Sequence, residues 1–192
     1  MSPPIWTLLL TGLTTSTLIT MMSTNWLLVW LTLELNTLSI LPIMMKHHHP
    51  RMTEATTKYF IIQATAAANI LFASTINAWQ TGQWSITHTN SMMATTLITA
   101  AIMLKLGLAP VHLWYPEIMQ GMPMYTAMLI STWQKLAPLA LLHMTYNTLS
   151  STMILTLGLL STFTGGWTGL NQTQTRKIMA FSSIAHMGWL MA

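Results

Sequence analysis

The chain has 192 residues, 52% of them apolar and only 5% charged, with a formal net charge of +4. An ordinary soluble domain carries about 25% charged residues, so a water-facing exterior is excluded here. The sparse Lys and Arg also exclude the clustered basic face of a nucleic-acid binder, and the lack of cysteine excludes disulfides, thiolate metal sites and iron–sulfur ligation within this stretch.

These limits point to an all-α integral membrane protein. Apolar runs of roughly 20 residues match helices crossing a core of about 30 Å, and the short alternating strands of a barrel are missing. No cleavable targeting sequence is expected, because residues 1–4 hold no Lys or Arg.

Pro3 and Pro4 open the first run, as suits proline at a helix N-terminus, and it continues to residue 22. Ser23, Thr24 and Asn25 make so short a turn that the first two segments must be antiparallel neighbours. The second, residues 26–45, starts with Trp26 and Trp30 as interfacial anchors and carries one charge, Glu34. A polar loop is expected over residues 46–58, a third segment over 59–79, and a loop without Lys or Arg over 80–90.

The fourth segment begins at residue 92, carries Lys105 halfway, and meets Gly107 and Pro110 before its apolar run is over. Proline removes a backbone donor and clashes with the preceding turn, so a break is expected over residues 106–110. Freed carbonyls at membrane depth must face protein or a wet cavity. Pro116, Glu117, Gly121 and Pro123 are read as the next connection. A fifth segment, 124–146, holds Lys135 and Pro138, and a turn at 147–150 leads to a sixth ending near residue 167. A polar loop over 165–177 precedes a seventh run from residue 178, which is short for a span, so the sequence is expected to be a fragment ending inside a helix.

This count of seven segments places Lys46, Arg51, Lys58, Arg176 and Lys177 on the side of the N-terminus and leaves the opposite loops without Lys or Arg. The positive-inside rule then makes the N-terminal side cytoplasmic, or the matrix side in a mitochondrion.

At a rise of about 1.5 Å per residue, Glu34, Lys105 and Lys135 lie about 12, 20 and 16 Å from the basic-poor side, with His186 near the middle as well. An isolated charge there costs about 2.5–3.5 kcal/mol, so these groups are expected to face one another. Lys58 reads as a snorkelling lysine, but Lys105 and Lys135 are too deep for a lysine stem to reach the headgroups. Glu34 could instead be a protonated acid hydrogen-bonded to backbone. His143 and His186 read equally as packed neutral imidazoles or relays, and His112, just past the break, is open in the same way.

Other motifs carry less. The consecutive His47, His48 and His49 diverge in direction and have no ligand-spaced acid or Cys, so they read as interfacial filler rather than a metal site. Asn171 matches a glycosylation acceptor but falls on the basic side. Gly165 and Gly169 are four apart yet near a segment end, and the 18 methionines are membrane core rather than a cofactor box.

The stretches WLLVWLTLELNTLSILPIMMK, TEATTKYFIIQATA, MLKLGLAPVHLWYPEIMQG, TWQKLAP and GGWTGLNQTQTRKIMAFSSIAHMGW run across nearly the whole chain. On these the chain resembles the antiporter-like subunits in the membrane arm of mitochondrial NADH:ubiquinone oxidoreductase, respiratory complex I. The resemblance implies a polytopic antiporter-like helix bundle with a broken fourth helix, in which residues 1–149 form a first five-helix repeat and 150–192 begin a second. It implies a mitochondrial inner-membrane location with the N-terminus on the matrix side, and proton translocation driven by electron transfer from NADH to ubiquinone. Partners would be other membrane-arm subunits and the lipid bilayer, cardiolipin included. No cofactor is expected in this chain; NADH, FMN, iron–sulfur clusters and ubiquinone would belong to other subunits.

By position, Glu34 resembles the acid that pairs with Lys105, Lys135 the next lysine along a hydrophilic axis, and His186 a polar station beyond it. Two alternatives share the buried charges: a stand-alone monovalent cation/proton antiporter, and a structural subunit whose charges only key helices together.

Overall fold

A computed structural model of the chain describes residues 3–45, 49–89 and 91–191. Eight helices follow one another among them: α1 (Pro3–Met22), α2 (Trp26–Met44), α3 (Pro50–Thr81), α4 (Met92–Leu106), α5 (Trp114–Gly121), α6 (Met124–Thr145), α7 (Ser151–Leu170) and α8 (Thr175–Met191). The described residues form no strand, only an isolated bridge between Asn25 and Ser85. Helices α1, α2, α3 and α7 are each long and apolar enough to cross a membrane, and α4 is a shorter apolar helix.

Three stretches read as loops are helical. Residues 50–58 belong to α3, because Pro50 occupies its first turn with a preset φ and Glu54 pairs with Lys58 one turn on, at 3.0 Å. Their polarity had made them look like a loop. Residues 114–121 form α5 rather than a connection, with Pro116 in the first turn, where its missing N–H has no intrahelical partner to lose. Likewise α7 runs on to Leu170 and α8 starts at Thr175. Lys46, His47 and His48 lie outside the described residues.

Helix α6 occupies the middle, touching α1, α2, α4 and α8, while α3 packs on α2, α4 and α5. The α7–α8 hairpin is held mainly to itself and reaches the rest through contacts of α8 with α5 and α6. Small residues let it close: Ser161 and Gly165 on α7 and Gly188 on α8 are buried at the contact, where Gly165 faces the backbone of Ala185. Without a hydrophobic drive between helices in lipid, such close backbone approach supplies the van der Waals packing. Gly165 thus serves a contact inside this chain.

One end of the bundle is closed by backbone pairing between the α1–α2 turn and the α3–α4 loop. The N–H of Trp26 donates to Trp84 O and that of Ile86 to Thr24 O, both at 3.0 Å. The opposite end opens into a recess of about 870 Å³, where Arg51, Lys58 and Arg176 come together from distant parts of the chain.

Buried apolar side chains form two clusters. On α2, Val29 and Leu33 belong to one and Ile40 to the other; on α6, Ala137 and Leu141 to the first and Ile130 to the second. On α3, Ile70 and Tyr59 are divided in the same way. The polar residues of all three helices fall in the gap. Buried hydroxyls elsewhere turn back on their own helices, as Ser16 does to Leu13 O (2.9 Å) and Thr145 to Leu141 O (2.9 Å), so Thr-rich helices leave few donors unmade.

Candidate functional site

The layer between the two apolar clusters holds Asn36 from α2, Gln63 from α3, Lys105 from the end of α4, and Gln134 and Lys135 from α6, all buried. Because α2 and α6 run in opposite senses, Asn36 and Gln134 come to nearly the same depth, about 15–17 Å from the closed end. There they pair. Asn36 Nδ2 donates to Gln134 Oε1 at 3.1 Å, Gln134 Nε2 to Asn36 Oδ1 at 3.5 Å, and the Tyr59 hydroxyl also reaches Gln134 Oε1 at 3.4 Å.

Lys105 sits in the last turn of α4, which stops by a defined motif. Gly107 takes a left-handed conformation (φ 71°) and donates to Leu104 O at 3.3 Å, while Leu108 N–H donates to Met103 O at 3.0 Å. That pair of bonds is a Schellman ending, which satisfies two of the carbonyls a helix terminus leaves free. A third, the carbonyl of Lys105 itself, accepts from Gln63 Nε2 at 3.4 Å. The chain then passes a cis Ala109–Pro110 bond and begins α5 at Trp114. Gly107 is also a point of close approach, since a Cβ there would meet the Trp114 ring and Tyr115 Cβ, each at 3.3 Å.

Lys135 is 3% exposed. Its Nζ donates to Ser183 O on α8 at 3.3 Å and lies 4.7 Å from the centre of the Tyr115 ring on α5. The ammonium is thus held by a carbonyl on one side and the negative face of an aromatic ring near it. Glu34 is half-buried, with Oε2 covered and free of hydrogen bonds. It is not in contact with Lys105: among the described residues, ion pairs within 4 Å are confined to Lys58, which bridges Glu54 and Glu117 at 3.0 Å each. The charge of Glu34 acts on Lys105 through space.

The histidines divide. His112 lies between α4 and α5, half-buried, with Nδ1 covered and unpartnered. His186 and His143 stand on exposed faces of α8 and α6. His186 nevertheless falls between Ile184 and Met191, which belong to different apolar clusters, so its depth is that of the polar layer. Among the described residues no group of three His, Cys, Asp or Glu is placed to hold a metal.

Sequence reasoning missed Asn36, Gln63, Gln134, Tyr59 and Tyr115. The available signal was an amide in mid-run, twice within two residues of a charge (Glu34 with Asn36, Lys135 with Gln134). An uncharged amide in hydrocarbon needs partners as surely as a charge does, and this layer is where the partners are. Chemically the arrangement can store positive charge at two places inside an apolar body, at a helix end and beside a ring.

Comparison with known proteins bears on what such a layer is for. The family described as NADH:quinone oxidoreductase/Mrp antiporter, transmembrane, matches residues 23–192. NADH-ubiquinone oxidoreductase chain 2 of Carassius auratus is 55% identical over 191 residues, and that of Oncorhynchus mykiss 56% over 191; each alignment covers 100% of this chain and 55% of the relative. The chain therefore spans about half the length of the curated relatives it matches. Respiratory complex I from Thermus thermophilus contains a chain of similar structure, with a TM-score of 0.89 and 26% identity, covering 96% of this chain and 43% of that one. A chain of the Mrp complex from Dietzia sp. DQ12-45-1b shares the fold at a TM-score of 0.86 and 18% identity, over 95% of this chain and 38% of that one.

Proposed function

We propose, because the chain belongs to the NADH:quinone oxidoreductase/Mrp antiporter family of transmembrane proteins, that it is a membrane-arm subunit of respiratory NADH:ubiquinone oxidoreductase. In this reading it couples electron transfer from NADH to ubiquinone to proton translocation across the mitochondrial inner membrane. It carries no redox centre; NADH, FMN, iron–sulfur clusters and ubiquinone are held by other subunits, and the membrane-arm subunits and lipids such as cardiolipin surround it. The observation that carries the reading is the layer of buried amides and two buried lysines between apolar clusters.

Helices α4 and α5 are then the two halves of one broken span, giving seven crossings. Residues 1–149 supply the first five-helix repeat and 150–192 the start of a second. The N-terminus and the basic recess face the matrix, a reading supported by the gathering of Arg51, Lys58 and Arg176 at one end.

The proton path runs through Glu34, Lys105 and Lys135, with His112 beside the break and His186 beyond. Lys105 sits where the negative end of the α4 dipole favours a cation, and Glu34 adds attraction through space. Withdrawing either influence releases the proton toward Lys135, where the Ser183 carbonyl and Tyr115 ring receive the charge. The magnitudes are matched: moving one charge across 100 mV takes about 2.3 kcal/mol, and losing one charge-assisted contact costs about 1.5–3 kcal/mol.

Replacing Lys105 with Ala is expected to lower proton pumping per NADH oxidised in the assembled enzyme by at least about ten-fold, a change of about 1.4 kcal/mol or more. Parental pumping with normal assembly defeats the proposal. A stand-alone cation/proton antiporter is the second reading, favoured by the shared Mrp fold. Purification within an NADH-oxidising assembly supports the first; cation-driven proton exchange by the full-length chain alone supports the second.

A further inference from the structure

Lys135 has no carboxylate within 4 Å, so what holds its charge is the Ser183 carbonyl and the Tyr115 ring. The carbonyl belongs to the α8 backbone. The ring is different, because it rides on α5, the short helix just past the α4 ending.

A chain of contacts connects that ring to Lys105. Gly107 lies two residues after Lys105 and fixes the end of α4 with its left-handed turn. Its α-carbon is packed so closely on Trp114 and Tyr115 that even a methyl group would press on both at 3.3 Å. Trp114 and Tyr115 meet edge to face, with centroids 5.6 Å apart, and Tyr59 braces Trp114 from α3 at 6.3 Å. Beyond the ring, α5 is tied down on both sides at the basic end. Glu117 pairs with Lys58 of α3, and Arg176 of α8 donates to the Gln120 and Met122 carbonyls at the end of α5.

From this geometry we infer that Tyr115 is a positioning residue for proton transfer: its ring is the element through which the α4 ending, two residues from Lys105, governs how well Lys135 holds a proton. The inference rests on the proposed proton path and extends it. An ammonium near an aromatic face is stabilised only while the face stays in register, within about 6 Å. A small displacement of the turn at Gly107 moves Tyr115 with it, so the two lysines communicate without touching. The hydroxyl has no hydrogen-bond partner and is not the active part.

The test uses the assembled enzyme and reads protons pumped per NADH oxidised. Tyr115→Leu is expected to lower that ratio about three- to five-fold, the scale of a desolvated cation–π contact, and Tyr115→Phe, which keeps the ring, to preserve it. In a Lys135→Gln background, which has no cation for the ring to hold, Tyr115→Leu is expected to change nothing further. A Phe variant that pumps as poorly as the Leu variant overturns the inference, and so does a Leu effect that persists undiminished without the lysine. Should Tyr115→Leu alone fail to assemble, the double variant decides: recovery of assembly supports the pairing, and equal failure assigns the ring to packing. Parental pumping by Lys135→Gln would sink the proton path itself, whereas reduced pumping by Lys135→Gln with parental pumping by Tyr115→Leu sinks only the role given to the ring.

Discussion

Replacing Gly188 with leucine is expected to force α8 away from α7 and to remove most of the chain from the assembled membrane complex. A Cβ at this position would lie 2.8 Å from the carbonyl oxygen of Gly158 and 2.8 Å from Cγ2 of Thr162, with the Ser161 hydroxyl closer still. The Gly158 oxygen is backbone and cannot rotate aside, so the helices must part. Parting them undoes the most extensive helix contact in the molecule. Overpacking a tight interior costs about 1–3 kcal/mol and occasionally more, and leucine, three carbons beyond the first offending atom, belongs at or above the upper end. Native gels and the thermal midpoint of the purified complex read the loss, with Gly188→Ala intermediate. Parental assembly and melting of the leucine variant would show that this contact does not hold the hairpin.

A second large effect is expected in the polar layer. Asn36→Leu leaves the Gln134 amide buried with Tyr59 as its remaining side-chain partner, and Gln134→Leu strands Asn36 completely. Each single change is expected to destabilise by about 1–3 kcal/mol, the desolvation cost of an unmade buried hydrogen bond. Changing both to leucine removes donors and acceptors together, and apolar replacement of both partners can be nearly neutral. The expected signature is therefore strong non-additivity, an interaction energy of about 1–2 kcal/mol in the thermal stability of the complex. Additive single and double variants would mean that the two amides are not partners in the membrane. The double variant separates two properties, because it restores stability while erasing polarity beside Lys135. If the layer serves proton transfer, pumping stays impaired when stability returns.

How far the sequence carried this picture depends on the kind of signal. The apolar runs of α1, α2 and α7 are set by composition alone, and mid-run positions were enough to mark Lys105 and Lys135 as interior residues, which the structure buries. The helix stop near Lys105 was legible because Gly107 and Pro110 act locally on the backbone. What depended on other helices was less visible. Residues 50–58 looked like loop because their polarity suits water, yet their local propensity and the Glu54 and Lys58 pairing form helix beyond the apolar run. The contact expected between Glu34 and Lys105 is not made, since depth along a helix does not fix the direction in which a side chain points. His186 shares the depth of the layer but faces outward on α8, for the same reason. Tyr115 gave no signal, because its importance comes from a ring placed under a lysine of another helix.

The bond from Lys135 to Ser183 joins residues 48 apart, and this sets a problem of timing during synthesis. At about 5–20 residues per second, several seconds separate the emergence of the lysine from that of the carbonyl it donates to. Throughout that interval α6 must wait with an unmatched cation, either held back in the insertion machinery or drawn toward a headgroup. The α7–α8 hairpin is therefore a closing latch for biogenesis, and a ribosome halted ahead of it leaves a nascent bundle marked for degradation by its own unsheltered charge.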